Sequence, residues 1–152
     1  MVFGQHDTKG IMEKYKKYLG KKHNYLNTNC ITLIAEIYEN ELQRDDFKKI
    51  WEFVDLKEGH PEQESRWWKF FTLKKLLKCA KEYGIKIEKI TDIEEYDFII
   101  FTTKKRKIPI HFGMYIGQNM MIHIEEGSYS KIDMLNDSWR ERIHSVYRRK
   151  MV

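Results

Sequence analysis

A chain of 152 residues with 41% hydrophobic and 14% aromatic side chains is long enough for one packed domain and too apolar for a disordered one. No run of about 18 apolar residues is present to span a membrane. The N-terminal residues lack the basic and apolar regions of a secretory signal. The net charge of +5 favours acidic partners, such as nucleic acid or the bacterial cell wall, only weakly.

Helical patterns dominate the first half of the chain. Three helices are predicted, over about residues 9–19, 30–43 and 72–83. Thr8 is expected to cap the first of them, and either Thr28 or Asn29 the second. Residues of about 45–70 follow no regular period, so they are predicted to form an insertion.

After Gly84 the hydrophobic period changes to two, which is typical of half-buried strands. Strands are predicted over about 85–90, 96–103, 110–116, 120–125 and 143–149, with a short helix near 134–140. The turn at 117–119 joins two of these strands into a hairpin. Because the helices precede an antiparallel sheet, the sequence predicts an α+β fold and a single domain over 1–152.

Two cysteines cannot form a disulfide framework, and in a chain without a signal they are expected to stay reduced. Cys30 lies where the second helix begins. There, unpaired backbone amides and the helix dipole are expected to stabilise a thiolate and to lower the thiol pKa from about 8.5. The alternative for a single cysteine on an apolar helix is a small buried residue. Cys79 is predicted to be such a residue.

Two histidines are predicted to share one face of the hairpin. Strand alternation puts His111 and Gly113 on the same face, and the tight turn puts His123 opposite or diagonal to Gly113. A thiolate nucleophile needs an imidazole to hold its proton, and that imidazole needs a polar partner to fix its tautomer. We therefore predict His111 as the base for Cys30 and His123 as the orienting residue. The alternative for each is an ordinary surface or core histidine.

These segments resemble a known family. Residues 29–34, Asn-Cys-Ile-Thr-Leu-Ile, are similar to the nucleophile motif of NlpC-type papain-like cell-wall peptidases. Residues 111–117, His-Phe-Gly-Met-Tyr-Ile-Gly, resemble the base strand of that family, and residues 121–123 its strand with the third polar residue. Tyr18, twelve residues before Cys30, matches a tyrosine that helps line the active site of the family.

The resemblance implies a papain-like fold and a thiol endopeptidase that hydrolyses amide bonds in peptidoglycan stem peptides. The usual target of the family is a γ-D-glutamyl bond to a diamino acid. Cys30 would be the nucleophile, with His111 and His123 as its catalytic partners. Tyr18 would position the carbonyl or its oxyanion. No cofactor is implied.

The sequence departs from the family pattern at four positions. Asn29 stands in place of the usual Asp, and Ile31 and Thr32 replace a small Ser-Gly pair. Tyr96 replaces the Gly of a Gly-Asp pair that usually opens the next strand. These changes are expected to alter contacts around the nucleophile, but they leave the thiol and both imidazoles in place.

Within this family, the sequence resembles one subgroup more than the others, namely the K-type tail-assembly proteins of long-tailed bacteriophages. The shared features are a Thr-Leu-Ile run after the cysteine, a Trp pair in the insertion, and a later Ser, Trp and basic end. Here these are residues 32–34, Trp67-Trp68, Ser130, Trp139 and Arg148-Arg149. This resemblance implies other tail proteins as partners, with synthesis in the host cytoplasm and incorporation into the virion tail.

Other functions are considered beside the peptidase. A structural tail component could keep the fold without catalysis. A nucleic-acid-binding module could use the basic loop Lys104–Lys107, but this loop lacks the regular aromatic residues that stack on bases. His123 and Glu125 could offer two metal ligands from one strand face, but no HExxH or CxxC set accompanies them, so no metal site is predicted.

Overall fold

The part of the chain that the structure describes consists of helices followed by one sheet. A computed structural model describes residues 4–24, 28–48, 77–78, 80–102 and 109–150. The named helices are α1 (Gly4–Tyr15), which continues as a 3-10 turn at Lys16–Tyr18, α2 (Cys30–Leu42) and α3 (Asp137–Arg140). None of the helices in these ranges is both long and apolar enough to cross a membrane.

Within the described residues, six strands form a single sheet in which every neighbouring pair is antiparallel. The strands are β1 (Gly84–Lys86), β2 (Phe98–Thr102), β3 (Pro109–Gly117), β4 (Met120–His123), β5 (Lys131–Met134) and β6 (Ile143–Arg149). They lie in the order β1-β6-β2-β3-β4-β5. The predicted α+β class is therefore confirmed.

The two faces of the sheet bury different sets of side chains. On one face, α2 packs its apolar side against β2, β3 and β4, and Ile34, Phe98 and Ile122 are fully buried there. The opposite face carries a smaller cluster that includes Phe101 and Met121. Because side chains of a strand alternate between faces, neighbouring residues of β3 serve both clusters. This alternation separates the nucleophile helix from the histidine face.

Several predicted boundaries change in the structure. Thr8 lies inside α1, which begins at Gly4, so it is not the cap of that helix. Strand β1 is shorter than predicted and ends at Lys86. Strand β5 is not predicted at all. Residues 77–78 and 80–83 are helical up to the start of β1, as predicted.

Some predictions fall outside the described residues. These are most of the insertion at about 45–70 with Trp67-Trp68, the basic loop Lys104–Lys107, and Cys79.

The departure at Tyr96 has a visible conformational consequence. Tyr96 adopts a φ of +75°, in the left-handed region that glycine occupies without steric cost. Two contacts hold it there: the Lys14 ammonium donates to its hydroxyl at 2.6 Å, and the Tyr38 hydroxyl donates to its carbonyl. The tyrosine therefore takes the backbone geometry of a glycine position and offsets the strain with side-chain contacts.

Candidate active site

The start of α2 is fixed by a capping box. The Asn29 side chain accepts hydrogen bonds from the backbone N–H groups of Ile31 and Thr32, both at 3.0 Å. In return, the Asn29 N–H donates to the Thr32 hydroxyl at 2.8 Å. Asn29 and Thr32, two departures from the family pattern, thus complete one cap together. A neutral cap also adds no negative charge beside the thiol of Cys30.

Cys30 is a free, half-buried cysteine at the first residue of α2. The last residue pair that joins β3 to β4 is Gly113–His123, so β3 runs past the end of β4 through Phe112. The backbone of Phe112 is close enough to the Cys30 sulfur to favour the thiolate and so to oppose the effect of burial on the thiol pKa. The thiol therefore lies one residue along β3 from His111.

His111 and His123 are in direct contact, as the strand pattern predicts. Nε2 of His111 lies 2.7 Å from Nδ1 of His123. His123 pairs with Gly113, where an added Cβ would lie 3.5 Å from the His123 Cβ and 3.2 Å from the Phe101 ring. The missing side chain thus makes room for the two rings. Since Nε2 of His111 is engaged, Nδ1 is the ring nitrogen left for a thiol.

The structure does not join the thiol and the imidazole directly. No hydrogen bond between Cys30 and His111 occurs among the described residues. Hydrogen bonds between catalytic groups are often long before substrate binds. In this structure the Cys30 thiol and the His111 imidazole are neighbours along the β3 backbone without a direct hydrogen bond between them.

Aromatic rings cover the histidine pair. The Trp139 ring centroid lies 6.0 Å from that of His111 and 5.0 Å from that of His123. Phe101 lies 5.7 Å from His111 on the neighbouring strand. As a result His111 is 7% exposed and His123 is fully buried. This cover excludes water from the hydrogen bond between the two imidazoles.

A third polar residue completes the row and was missed by sequence reasoning. Oδ2 of Asp133 lies 2.7 Å from Nε2 of His123, so that His111, His123 and Asp133 form a hydrogen-bonded chain. Asp133 belongs to β5, where it pairs with Met121. The signal available in the sequence is only the polar–apolar alternation of Lys131 to Met134, which is too short to identify a strand on its own.

Tyr18 is not at the site. Its hydroxyl is buried without a hydrogen-bond partner among the described residues, beside Asn40 and Glu41 near the end of α2. Ten residues of α-helix separate Asn40 from Cys30, a rise of about 15 Å. The Ser130 hydroxyl donates to the Tyr18 carbonyl at 2.7 Å and fixes this backbone. The predicted spacing to the cysteine is present, but the ring points to the other end of α2.

Burial reverses the expected direction of the Cys30 pKa. Removal of the thiol from water raises its pKa from 9.0 to about 11, and the nearby backbone of Phe112, Cys30 and Ile31 opposes this increase only in part. The prediction that the Cys30 pKa is lowered, by the helix start and by His111, is therefore wrong. Desolvation penalises the charged form more strongly than the helix N-terminus favours it.

His111 is neutral in the same state. Burial, and next the charge of His123, lower the pKa of His111 from 6.5 to about 3. His23 is half-buried, and its charge also contributes to this shift of the His111 pKa. The thiol of Cys30 and the imidazole of His111 are therefore both neutral near pH 7.

This arrangement predicts how Cys30 reacts with iodoacetamide. In a Cys79→Ser variant, the alkylation rate should rise continuously from pH 6 to about pH 10. At pH 7 the alkylation of Cys30 should be about 10²-fold slower than that of free cysteine. The reason is that a pKa about two units higher leaves about 10²-fold less thiolate. Mass-spectrometric quantification of the adduct measures the rate. A fast plateau between pH 5 and 7 would instead indicate a preformed ion pair and contradict the neutral state.

Three potential metal ligands lie near the end of the histidine row. His123, Glu125 and Asp133 each offer one donor atom, all within 4.8 Å of one another. The Lys131 ammonium lies 3.1 Å from Glu125 and 3.8 Å from Asp133. The positive charge between these carboxylates is therefore supplied by a lysine of the chain itself.

Comparisons with known proteins agree with this fold. The chain is similar to NlpC2 of Trichomonas vaginalis (20% identity, TM-score 0.55, covering 98% of this chain and 49% of that one). A protein of the NLP/P60 family described as similar to lipoprotein, from Staphylococcus aureus, is 15% identical with a TM-score of 0.54, covering 100% and 44%. The NlpC/p60 domain of the peptidoglycan hydrolase SagA is 15% identical with a TM-score of 0.52, covering 92% and 97%.

At these identities the structural likeness shows the fold alone. The chain spans about half the length of the first two of these proteins. No curated protein sequence matches the chain. The family model for the NlpC/P60 family, however, matches residues 14–148, which is most of the sequence. The chain therefore belongs to the NlpC/P60 family.

Proposed function

We propose that this protein is a cysteine peptidase that hydrolyses amide bonds in the stem peptides of peptidoglycan. Family membership and the likeness to a peptidoglycan hydrolase domain support the substrate class. The observation that carries the proposal is the hydrogen-bonded pair of His111 and His123 beside the helix start that bears Cys30. The target within the stem would be the bond between γ-D-glutamate and the diamino acid.

In the proposed reaction, the Cys30 thiol transfers its proton to Nδ1 of His111 while the sulfur attacks the amide carbon. The carbon–nitrogen bond then breaks, and the same proton passes to the leaving amine. A water molecule next gives a proton to His111 and attacks the thioester. That proton returns to the departing sulfur, which restores the thiol. His123 holds the imidazole of His111 in place through both protonation states.

The backbone at the start of α2 would stabilise the oxyanion. Asn29 occupies the N–H groups of Ile31 and Thr32, whereas the N–H of Cys30 lies next to its own thiol and favours the thiolate. When a carbonyl carbon bonds to that sulfur, its oxygen comes within reach of the Cys30 N–H. The capping box thus leaves one backbone donor at the reacting atom. Tyr18 has no part in this step, since its hydroxyl lies near Asn40 and Glu41.

The test of the substrate class uses defined muropeptides. We expect the purified protein to cleave a disaccharide tetrapeptide at the γ-D-glutamyl bond, and mass spectrometry to show one water added across that bond. A matched peptide with an α-linked L-glutamate should stay intact. Absence of cleavage at every pH from 5 to 9 under reducing conditions would contradict the proposal and favour a structural role for the same fold.

The phage tail is the proposed setting of this activity. Its support is the resemblance to K-type tail-assembly proteins, which includes Ser130, Trp139 and Arg148-Arg149. In this structure Ser130 ties the segment before α2 to the sheet, and Trp139 covers the histidines. Peptide mass spectrometry of purified virions from a strain that encodes the chain tests the setting. Virions without its peptides would remove the tail role and leave the peptidase proposal unchanged.

A further inference from the structure

We propose that Asp133 is a positioning residue that fixes the tautomers of both histidines and thereby leaves Nδ1 of His111 as the base for Cys30. This inference deepens the peptidase function proposed above and rests on it for its catalytic meaning. Its structural basis is the unbroken row of two hydrogen bonds, each 2.7 Å long, from His111 through His123 to Asp133.

The direction of each hydrogen bond follows from the chemistry of the last residue in the row. A carboxylate can only accept hydrogen bonds, so Nε2 of His123 must carry the proton and donate it to Asp133. In a neutral imidazole the other nitrogen is then an acceptor. Nδ1 of His123 therefore accepts from Nε2–H of His111. His111, with its proton on Nε2, keeps a free lone pair on Nδ1.

Without the carboxylate this order is lost. His123 could then carry its proton on Nδ1 and donate to Nε2 of His111. Neutral His111 would have its own proton on Nδ1 and could not take one from the thiol of Cys30. The position of one carboxylate on β5 thus decides whether the nitrogen available to the nucleophile is a base.

The negative charge of Asp133 also helps His111 to act as a base. Proton transfer from the thiol makes a positive imidazolium in a buried, aromatic-lined place. The Asp133 carboxylate favours this charge, and its interaction raises the pKa of His123 against the effect of burial. Among the described residues, the further charged or titratable groups that act on the two histidines include Lys131, Glu125, Arg142 and His23. Glu125 also favours the positive charge, whereas Lys131, Arg142 and His23 disfavour it.

The first experiment measures tautomers directly and does not depend on activity. Long-range 1H–15N correlation spectra of the full chain at pH 7 should show His111 and His123 both protonated on Nε2. His111→Gln and His123→Gln variants assign the signals. In Asp133→Asn the pattern should change, because the amide can donate to Nε2 of His123. Wild-type signals from a proton on Nδ1 of His123 would overturn the proposal.

The second experiment measures hydrolysis. Loss of tautomer control directly at the base costs about 10⁴-fold in a serine protease. Since Asp133 is one residue further along the row, we expect Asp133→Asn to lower kcat about 10²-fold with little change in KM. Asp133→Glu restores a carboxylate, so its kcat should be at least about tenfold higher than that of Asp133→Asn. An Asp133→Asn enzyme with wild-type kcat and wild-type tautomers would overturn the proposal.

Lys131 supplies the matched control. Its ammonium lies 3.8 Å from Oδ2 of Asp133, but Lys131 is not part of the hydrogen-bonded row of His111, His123 and Asp133. Asp133→Asn should shift the acidic limb of kcat/KM to lower pH, and Lys131→Met should shift it to higher pH. A purely structural role through the ion pair predicts the same change in both variants. If wild type shows the expected tautomers but cleaves no muropeptide, the positioning role stands and the peptidase function fails.

Discussion

Replacing His111 by glutamine is expected to lower kcat for cleavage of stem peptides by about 10⁴-fold. The glutamine amide can still donate a hydrogen bond to Nδ1 of His123 from the place of the imidazole Nε2. The lost group is the nitrogen proposed to take the proton of Cys30, so KM should change little. Steady-state kinetics on a muropeptide, with products quantified by mass spectrometry, measures the loss.

The matched control for this variant is His144→Gln. His144 is an exposed histidine of β6 whose imidazole contacts only Ser145 among the hydrogen bonds observed for it. Its replacement should leave kcat unchanged within about twofold. Retention of wild-type kcat in His111→Gln would exclude the imidazole as the base, even if the protein cleaves peptidoglycan by another route.

Arg148→Met is expected to lower the free energy of unfolding by about 3 kcal/mol, which corresponds to a melting temperature about 10 °C lower. The Arg148 guanidinium binds both oxygens of the fully buried Asp97 carboxylate, each at 2.9 Å. The N–H of Glu94 donates to the same carboxylate. Removing the arginine leaves a buried charge without its counter-ion. The lower end of the range for buried pairs applies because Arg148 is partly exposed.

Two further variants separate this cause from a general loss of packing. The double variant Asp97→Leu with Arg148→Met removes the charge itself and should recover part of the lost stability. Lys17→Met breaks the exposed ion pair with Glu41 and should leave the melting temperature almost unchanged, because solvent screens this pair. Thermal unfolding followed by circular dichroism compares them. Equal loss in the single and double variants would contradict the buried-charge explanation.

The hairpin and the helix that carries Cys30 could be predicted from sequence because each has a strong local signal. Alternation across the turn at 117–119 fixes which face His111 and His123 share, and a one-residue slip would separate them. The cap at Asn29 marks the start of α2. These local rules sufficed for the relative placement of the two imidazoles.

Three other features depend on tertiary contacts that no local pattern contains. Asp133 meets His123 only because β5 adds to the edge of the sheet, and its four residues are too short to predict. Tyr18 ends the 3-10 turn, and tertiary packing puts its hydroxyl near Asn40 and Glu41 of α2. The pKa of Cys30 depends on desolvation by residues far away in sequence. A motif at a helix start predicts the nucleophile but not its protonation.

The central claim is that Cys30 is the nucleophile of a hydrolytic site, and a comparison of two cysteine variants tests it most directly. Wild type, Cys30→Ala and Cys79→Ala would each be incubated with the same disaccharide tetrapeptide under reducing conditions, and the released fragments quantified by mass spectrometry. We expect wild type and Cys79→Ala to release the diamino acid end at equal rates, and Cys30→Ala to release none above the uncatalysed background. Cleavage by Cys30→Ala at the wild-type rate would contradict the account.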